Sequence, residues 1–115
     1  MQDLSAMTCV PCMGGIPPLD HQQIVEYLKQ LNGGWTVVAD HHLRRTLTFP
    51  DFISGLRFTN QVGSLAEEQG HHPDIFLAWG RVEISIWTHK IDGLNESDFI
   101  LAAKIDKLAS ASGLA

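Results

Sequence analysis

The chain has 115 residues, 44% hydrophobic and 18% charged, which is the make-up of one ordinary globular domain and excludes disordered, collagen-like and mucin-like classes. Eight Lys and Arg against thirteen Asp and Glu leave a net charge of −5, which argues against nucleic acid or an anionic membrane as a partner. No apolar run is longer than that from Ile75 to Trp79, which falls far short of the roughly 20 residues a bilayer span needs. Met1-Gln2-Asp3-Leu4 has neither a basic nor an apolar signal region, so a soluble, cytoplasmic protein is expected.

Residues 1–19 read as a lead outside the core. They hold both cysteines and Pro11, Pro17 and Pro18, with no period of 2 or 3.6. Cys9-Val10-Pro11-Cys12 is a CxxC motif, but redox chemistry wants that motif opening a helix after a strand. Met13-Gly14-Gly15-Ile16-Pro17-Pro18 cannot start a helix at once, and one CxxC supplies only half of a zinc ligand set. The lead is therefore read as structural or idle, with a metal or disulfide role as the lesser alternative.

Residues 20–110 read as a single domain. Asp20 to Leu31 predicts a helix, opened by an Asp20–Gln23 capping box and stopped by Asn32-Gly33-Gly34. Trp35 to Ala39 and His42 to Phe49 predict a hairpin turning at Asp40-His41, with Leu43, Arg45, Leu47 and Phe49 on one face. Arg44 and Arg45 are expected on a charged outer face. Pro50 suits a first helical turn, and Asp51 to Gln69 follows as a helix burying Phe52, Leu56, Gly63 and Ala66, widened by Phe58, Val62 and Leu65. Ile75 to Trp79 and Val82 to Thr88 predict a second hairpin around Gly80-Arg81. Val82–Thr88 would pair across a dimer if it lay at a sheet edge. Asn95 caps a last helix with Asp98 in its first turn, and Leu101, Ile105 and Leu108 form its apolar stripe. The end of the chain, from Ala109 and most clearly residues 111–115, is expected to fray. Helix, hairpin, helix, hairpin, helix predicts an α+β two-layer sandwich.

The chemistry concentrates in Glu67-Glu68-Gln69-Gly70-His71-His72-Pro73-Asp74 and Thr88-His89. With Gly80-Arg81 at the turn, extending the hairpin places His72 opposite His89; a register slipped by one residue places Gly70 there instead. Either way, the three imidazoles meet at one end of the hairpin. Glu67 lies one helical turn before His71 if the helix persists. Imidazole titrates near pH 6.5, so such a cluster can hold a general acid and a general base together, as elimination or addition of water requires. Pro73 restricts His72 to extended conformations. The bland alternative is a solvated His-His pair in a loop. Three histidines would also suit a catalytic zinc, but adjacent extended residues point their side chains apart, so no metal is expected. His41-His42 and His21 read as solvated, and Trp35, Trp79 and Trp87 as core or interface.

These residues resemble the signature of the pterin-4a-carbinolamine dehydratase family: an acidic residue, three residues, His-His-Pro, an aromatic, then Thr-His and a later Asp. Here they are Glu67, His71-His72-Pro73, Phe76, Thr88-His89 and Asp98. Gly34-Trp35, Phe49-Pro50-Asp51-Phe52 and the CxxC lead are also similar to family segments, and the resemblance covers about residues 9–110. Ile75, where the family has an aromatic, and the bulky Trp87 depart from the pattern and bear on substrate size. The resemblance implies a four-stranded antiparallel sheet with three helices on one face, in the order α-β-β-α-β-β-α. It implies dehydration of 4a-hydroxytetrahydropterin to quinonoid dihydropterin, with no cofactor or metal. His71 and His89 would act as general acids on the two faces of the 4a-hydroxyl, and His72 would bind the pterin and take the N5 proton. Glu67 would orient a histidine; Asp98, Pro73 and Thr88 would shape the site. Implied partners are the pterin, a second copy or copies in a homodimer or homotetramer, and a functional link to an aromatic amino-acid hydroxylase. Some relatives on this scaffold are implied to be coactivators or Rubisco assembly factors, so a non-catalytic assembly protein is the alternative.

Overall fold

The computed structural model describes residues 3–10 and 14–113. Its elements run α1 (His21–Leu28), β1 (Thr36–Val38), β2 (His42–Thr48), α2 (Phe52–Gln69), β3 (Asp74–Ala78), β4 (Arg81–Ile86) and α3 (Glu96–Ala111), with 3₁₀ turns at Leu4–Ala6 and His89–Ile91. The four strands form one open antiparallel sheet in the order β1-β2-β4-β3. The architecture is the expected α+β sandwich in the expected order.

Local signals set the helix starts. The Asp20 carboxylate accepts from the Gln23 amide at 2.9 Å and Gln23 Oε1 accepts from the Asp20 amide at 3.0 Å, closing the capping box of α1. That helix ends at Leu28, three residues earlier than expected, and the chain continues as a turn. Asp51 caps α2, and Gly70 ends it in the left-handed conformation, φ 65°. Asn95 and Asp98 form a second capping box at the start of α3.

The core lies between the helices and one sheet face, where Leu43, Leu47, Val82, Ile84 and Ile86 are buried. From α2 it takes Gly55, Phe58, Val62 and Ala66. The expected face based on Phe52 is displaced, and Phe52 is 44% exposed. Close approach decides this: a Cβ on Gly55 would come within 3.3 Å of Leu77 Cδ1, so the smallest residue marks where α2 rides on the sheet.

Several expectations are corrected. The lead belongs partly to the core: Leu4 and Cys9 are buried, and Lys104 donates from Nζ to the Ser5 carbonyl at 2.9 Å. With the lead on one side and the sheet on another, α3 buries Phe99, Ile100, Ala102, Ala103 and Ala109 besides Leu101 and Ile105, so it carries more than a stripe. Ala109 is packed rather than frayed, and α3 runs through Ala111. Arg45 is not on a charged outer face. It is buried on the inner face, as its alternation with Leu43 and Leu47 requires, and forms an ion pair with Asp106. Asp106 also accepts from Trp35 Nε1 at 2.7 Å and from the Asn32 amide at 3.2 Å. Burial pushes the Asp106 carboxyl up, and these three donors oppose that shift. Finally, β4 is an interior strand, so it is not available to pair across a dimer; β1 and β3 are the edges.

Candidate active site

The second hairpin adopts the slipped register: Leu77 pairs with Val82 and Asp74 with Ser85. Trp79 and Gly80 make the turn, with Gly80 at φ 73°. The strand β4 stops at Ile86 rather than Thr88. Thr88 then bridges to Gly93, and His89–Ile91 forms a 3₁₀ turn. His89 therefore reaches the His71-His72 end of the hairpin from a turn rather than from an extended ladder. All three imidazoles line one cleft of about 420 Å³, with Gly70, Pro73, Asp74, Trp87, Thr88 and Lys90.

Each histidine is held differently. His71 Nε2 lies 2.5 Å from Asp98 Oδ1. Asp98 is fully buried, and its Oδ2 accepts from Thr88 Oγ1 at 2.8 Å and from the Asn95 amide at 2.9 Å. The carboxylate that completes the cap of α3 thus also anchors the site. Since a carboxylate accepts, His71 donates from Nε2 and keeps Nδ1 for exchange. His72 Nε2 contacts Glu67 Oε2, and both side chains are exposed. Glu67 therefore serves His72 rather than His71, because Gly70 turns the chain out of the helix before His71 is reached. His89 is exposed and stacks on the Trp87 indole, with ring centroids 4.4 Å apart and planes at 10°. Pro73 and the buried Thr88 also line the cleft.

Sequence reasoning missed the surroundings of Trp87. His41 and His42 are not free in solvent: their rings lie 5.4 and 5.7 Å from that of Trp87, and His41 Nε2 is 2.7 Å from Asp92 Oδ1. Burial lowers the pKa of His42, helped by His41 and Arg44 and opposed by Asp74. The signal was the pairing of Leu43 with Ile86, which brings the start of β2 beside residue 87, and that pairing is non-local. Trp35 is core, as expected, and Trp79 is 72% exposed at the turn. His21 is exposed, 3.0 Å from Asp40 Oδ1.

Other features are chemically quieter. Burial pushes the Cys9 thiol up to about 11, which disfavours the thiolate that redox or nucleophilic chemistry needs. Cys12 lies outside the described residues. A hollow of about 640 Å³ between the lead, α1 and α3 is larger than the histidine cleft. Its titratable groups are Asp20, Glu26, Glu96 and Tyr27, whose hydroxyl donates to Glu96 at 2.7 Å and is pushed up to about 12 chiefly by burial. Its lining includes no imidazole, the side chain whose ordinary pKa lies nearest neutral pH. Among the described residues, no group of three His, Cys, Asp or Glu is placed to hold a metal ion, and no helix is long and apolar enough to cross a membrane.

Residues 17–108 match the family model described as pterin 4 alpha carbinolamine dehydratase. A relative from Rubrobacter xylanophilus, named "Putative pterin-4-alpha-carbinolamine dehydratase", is 56% identical over 94% of this chain and 100% of its own length. A relative of the same name from Alkaliphilus metalliredigens is 51% identical over 96% of this chain and 99% of its own. Among solved structures, a transcriptional coactivator/pterin dehydratase from Brucella melitensis is similar with a TM-score of 0.74 and 32% identity, over 80% of this chain and 98% of that one. A pterin dehydratase-like protein identified as a RuBisCO assembly factor in the alpha-carboxysome shares the fold, with a TM-score of 0.59 and 22% identity over 73% of this chain and 95% of that one.

Proposed function

The chain belongs to the pterin 4 alpha carbinolamine dehydratase family, and we propose that it dehydrates 4a-hydroxytetrahydropterin to quinonoid dihydropterin by histidine acid–base catalysis. The observation that carries this reading is the cleft itself, lined by three imidazoles with carboxylates paired to two of them.

The reaction loses one hydroxyl and one proton. An acid protonates the 4a-hydroxyl, the C4a–O bond breaks with its electron pair, and water leaves. A base takes the N5 proton, and the N–H electron pair becomes the C4a=N5 double bond. His71, oriented by buried Asp98, and His89 are the acids for the two faces of the hydroxyl. His72, beside Glu67, binds the pterin and receives the N5 proton. Thr88 and Pro73 shape the cleft around them. Positioned proton transfer of this kind contributes about 10²- to 10⁴-fold. Neither cofactor nor metal enters the scheme, and its place is the recycling of a tetrahydropterin used by an aromatic amino-acid hydroxylase. Self-association as a homodimer or homotetramer through the free β3 edge, where Phe76 is 53% exposed, belongs to the same proposal.

The test is dehydration of synthetic 4a-hydroxytetrahydropterin followed by stopped-flow absorbance. Wild type accelerates it well above the spontaneous rate, and His72→Ala loses at least a hundredfold. A folded wild type with no acceleration overturns the reading. The second reading, a non-catalytic assembly or coactivator protein, takes its coactivator part from the Brucella structure's description, which names coactivator and dehydratase together, and would then be pursued by pull-down.

A further inference from the structure

His89 stands apart from its two companions. His71 and His72 each have a carboxylate on Nε2, whereas among the described residues the His89 ring has no hydrogen bond or ion pair and its one aromatic contact is the stack on Trp87. An exposed side chain in a short 3₁₀ turn explores several rotamers unless packing selects one. The orientation of His89 therefore depends on the orientation of the indole.

The indole is backed by an ordered polar chain. Arg44 Nη2 lies 3.4 Å from His42 Nε2, His42 Nδ1 lies 3.0 Å from His41 Nδ1, and His41 Nε2 lies 2.7 Å from Asp92 Oδ1. Its direction follows from donor chemistry. A guanidinium only donates, so His42 Nε2 accepts, and its proton sits on Nδ1. His42 then donates to His41 Nδ1, and His41 donates from Nε2 to the Asp92 carboxylate. Both rings are neutral in this arrangement. The lowered pKa of His42 agrees with that. The charged groups facing the pair are Arg44 on β2, Asp74 on β3 and Asp92 after the 3₁₀ turn, and Glu83 of β4 holds Arg44 from the other side at 3.2 Å. Both imidazoles of the chain meet the Trp87 ring at tilted angles, 43° and 53°.

We propose that Trp87 is a positioning residue that sets the catalytic orientation of His89, and that the chain Arg44–His42–His41–Asp92 is the buttress that fixes the indole. This rests on the dehydratase reading for its rate prediction, but not for its geometry.

The experiment compares Trp87→Leu, Trp87→Phe and Asp92→Ala by stopped-flow dehydration, thermal melting and the proton NMR shifts of the His89 ring. A ring stacked on an indole carries an upfield ring-current shift, which reads the contact directly. In Trp87→Leu, the expected results are loss of that shift and a ten- to hundredfold fall in kcat, as misplacement of a catalytic group by about 1 Å produces. The change in KM is smaller and the melting midpoint stays near that of wild type. Trp87→Phe, which keeps a flat ring, recovers kcat to within about threefold. Asp92→Ala gives a partial loss of both shift and kcat. An unshifted His89 ring in wild type overturns the proposal. So does a kcat in Trp87→Leu equal to wild type, or equal losses in the Phe and Leu variants. Should Trp87→Leu not fold, unchanged His89 shifts and kcat in Asp92→Ala remove the buttress, and failure of Trp87→Phe to keep kcat removes the positioning role. If wild type shows no dehydratase activity, the functional reading falls on its own, and the ring-current data still decide whether Trp87 orients His89.

Discussion

Two aspartates of α3, Asp98 and Asp106, lie eight residues apart, a little over two helical turns, and each is buried with three donors around it. Asp106 receives Arg45, the Trp35 indole and the Asn32 amide. Asp98 receives His71, the Thr88 hydroxyl and the Asn95 amide. The electrostatic arrangement is nearly the same, and the neighbours decide its use. At Asp106 the cation is a guanidinium, which never gives up its proton, so the network ties β2, α3 and the loop after α1 together. At Asp98 the partner is an imidazole whose ring borders an open cleft, so the same anchoring orients a side chain of the kind acid–base chemistry uses.

Breaking the first network should cost the most. Asp106→Ala removes the carboxylate beside buried Arg45 and is expected to lower unfolding free energy by about 3–5 kcal/mol, read from the denaturant midpoint, with little change in kcat per folded molecule. Asp98→Asn tests the other side. It should lower kcat by about a hundredfold, through misoriented His71, while stability falls by no more than about 2 kcal/mol. A stability loss without a rate loss would make Asp98 a second Asp106. Gly34→Ala sharpens the contrast, since a Cβ there would sit 2.7 Å from Arg45 Nε. Overpacking of about 1–3 kcal/mol is expected, visible in thermal melting and absent from the dehydration rate.

The smallest effect is one of pH. The folded pKa of His42 lies below its unfolded value, so the unfolded chain binds more protons between the two. The contribution of His42 to stability is complete above about pH 6.5 and is lost as pH falls through the folded value. His21, whose pKa is raised by its hydrogen bond to Asp40, has the opposite sign: its contribution is present below about pH 6.5 and fades as pH rises through the folded value. Comparing wild type with His42→Gln by urea denaturation at about pH 7.5 and 5.5 should show wild type losing the more on acidification.

Legibility followed sequence separation. Asp20–Gln23 and Asn95–Asp98 act over two or three residues and mark helix starts as read, whereas α2 starts from an Asp51 cap and leaves Pro50, expected in its first turn, outside the helix. Alternation along β2 and β4 placed the apolar residues on the inner face and grouped Arg45 with Leu43 and Leu47, yet its charge argued for an outer face; what the pattern could not supply was the Asp106 partner 61 residues away that makes burial of a guanidinium tolerable. Likewise, the alternation of Glu83, Ser85 and Trp87 could not tell that His41 and His42 lie next to the indole, because the neighbour of β4 is β2 and not only its hairpin partner.

The sequence by itself determined the element order, the antiparallel sandwich and the gathering of His71, His72 and His89 at one end of the second hairpin. Caps, turns and period-2 alternation are short-range, so the residues that encode them are also the residues that obey them. The tertiary structure alone decided the slipped register, the pairing of Asp98 with His71 and Glu67 with His72, the docking of Leu4 and Cys9 against α3, and the indole under His89. Those depend on which surfaces meet across the fold, where closeness of packing and satisfaction of buried charge select one arrangement among several that the local pattern permits.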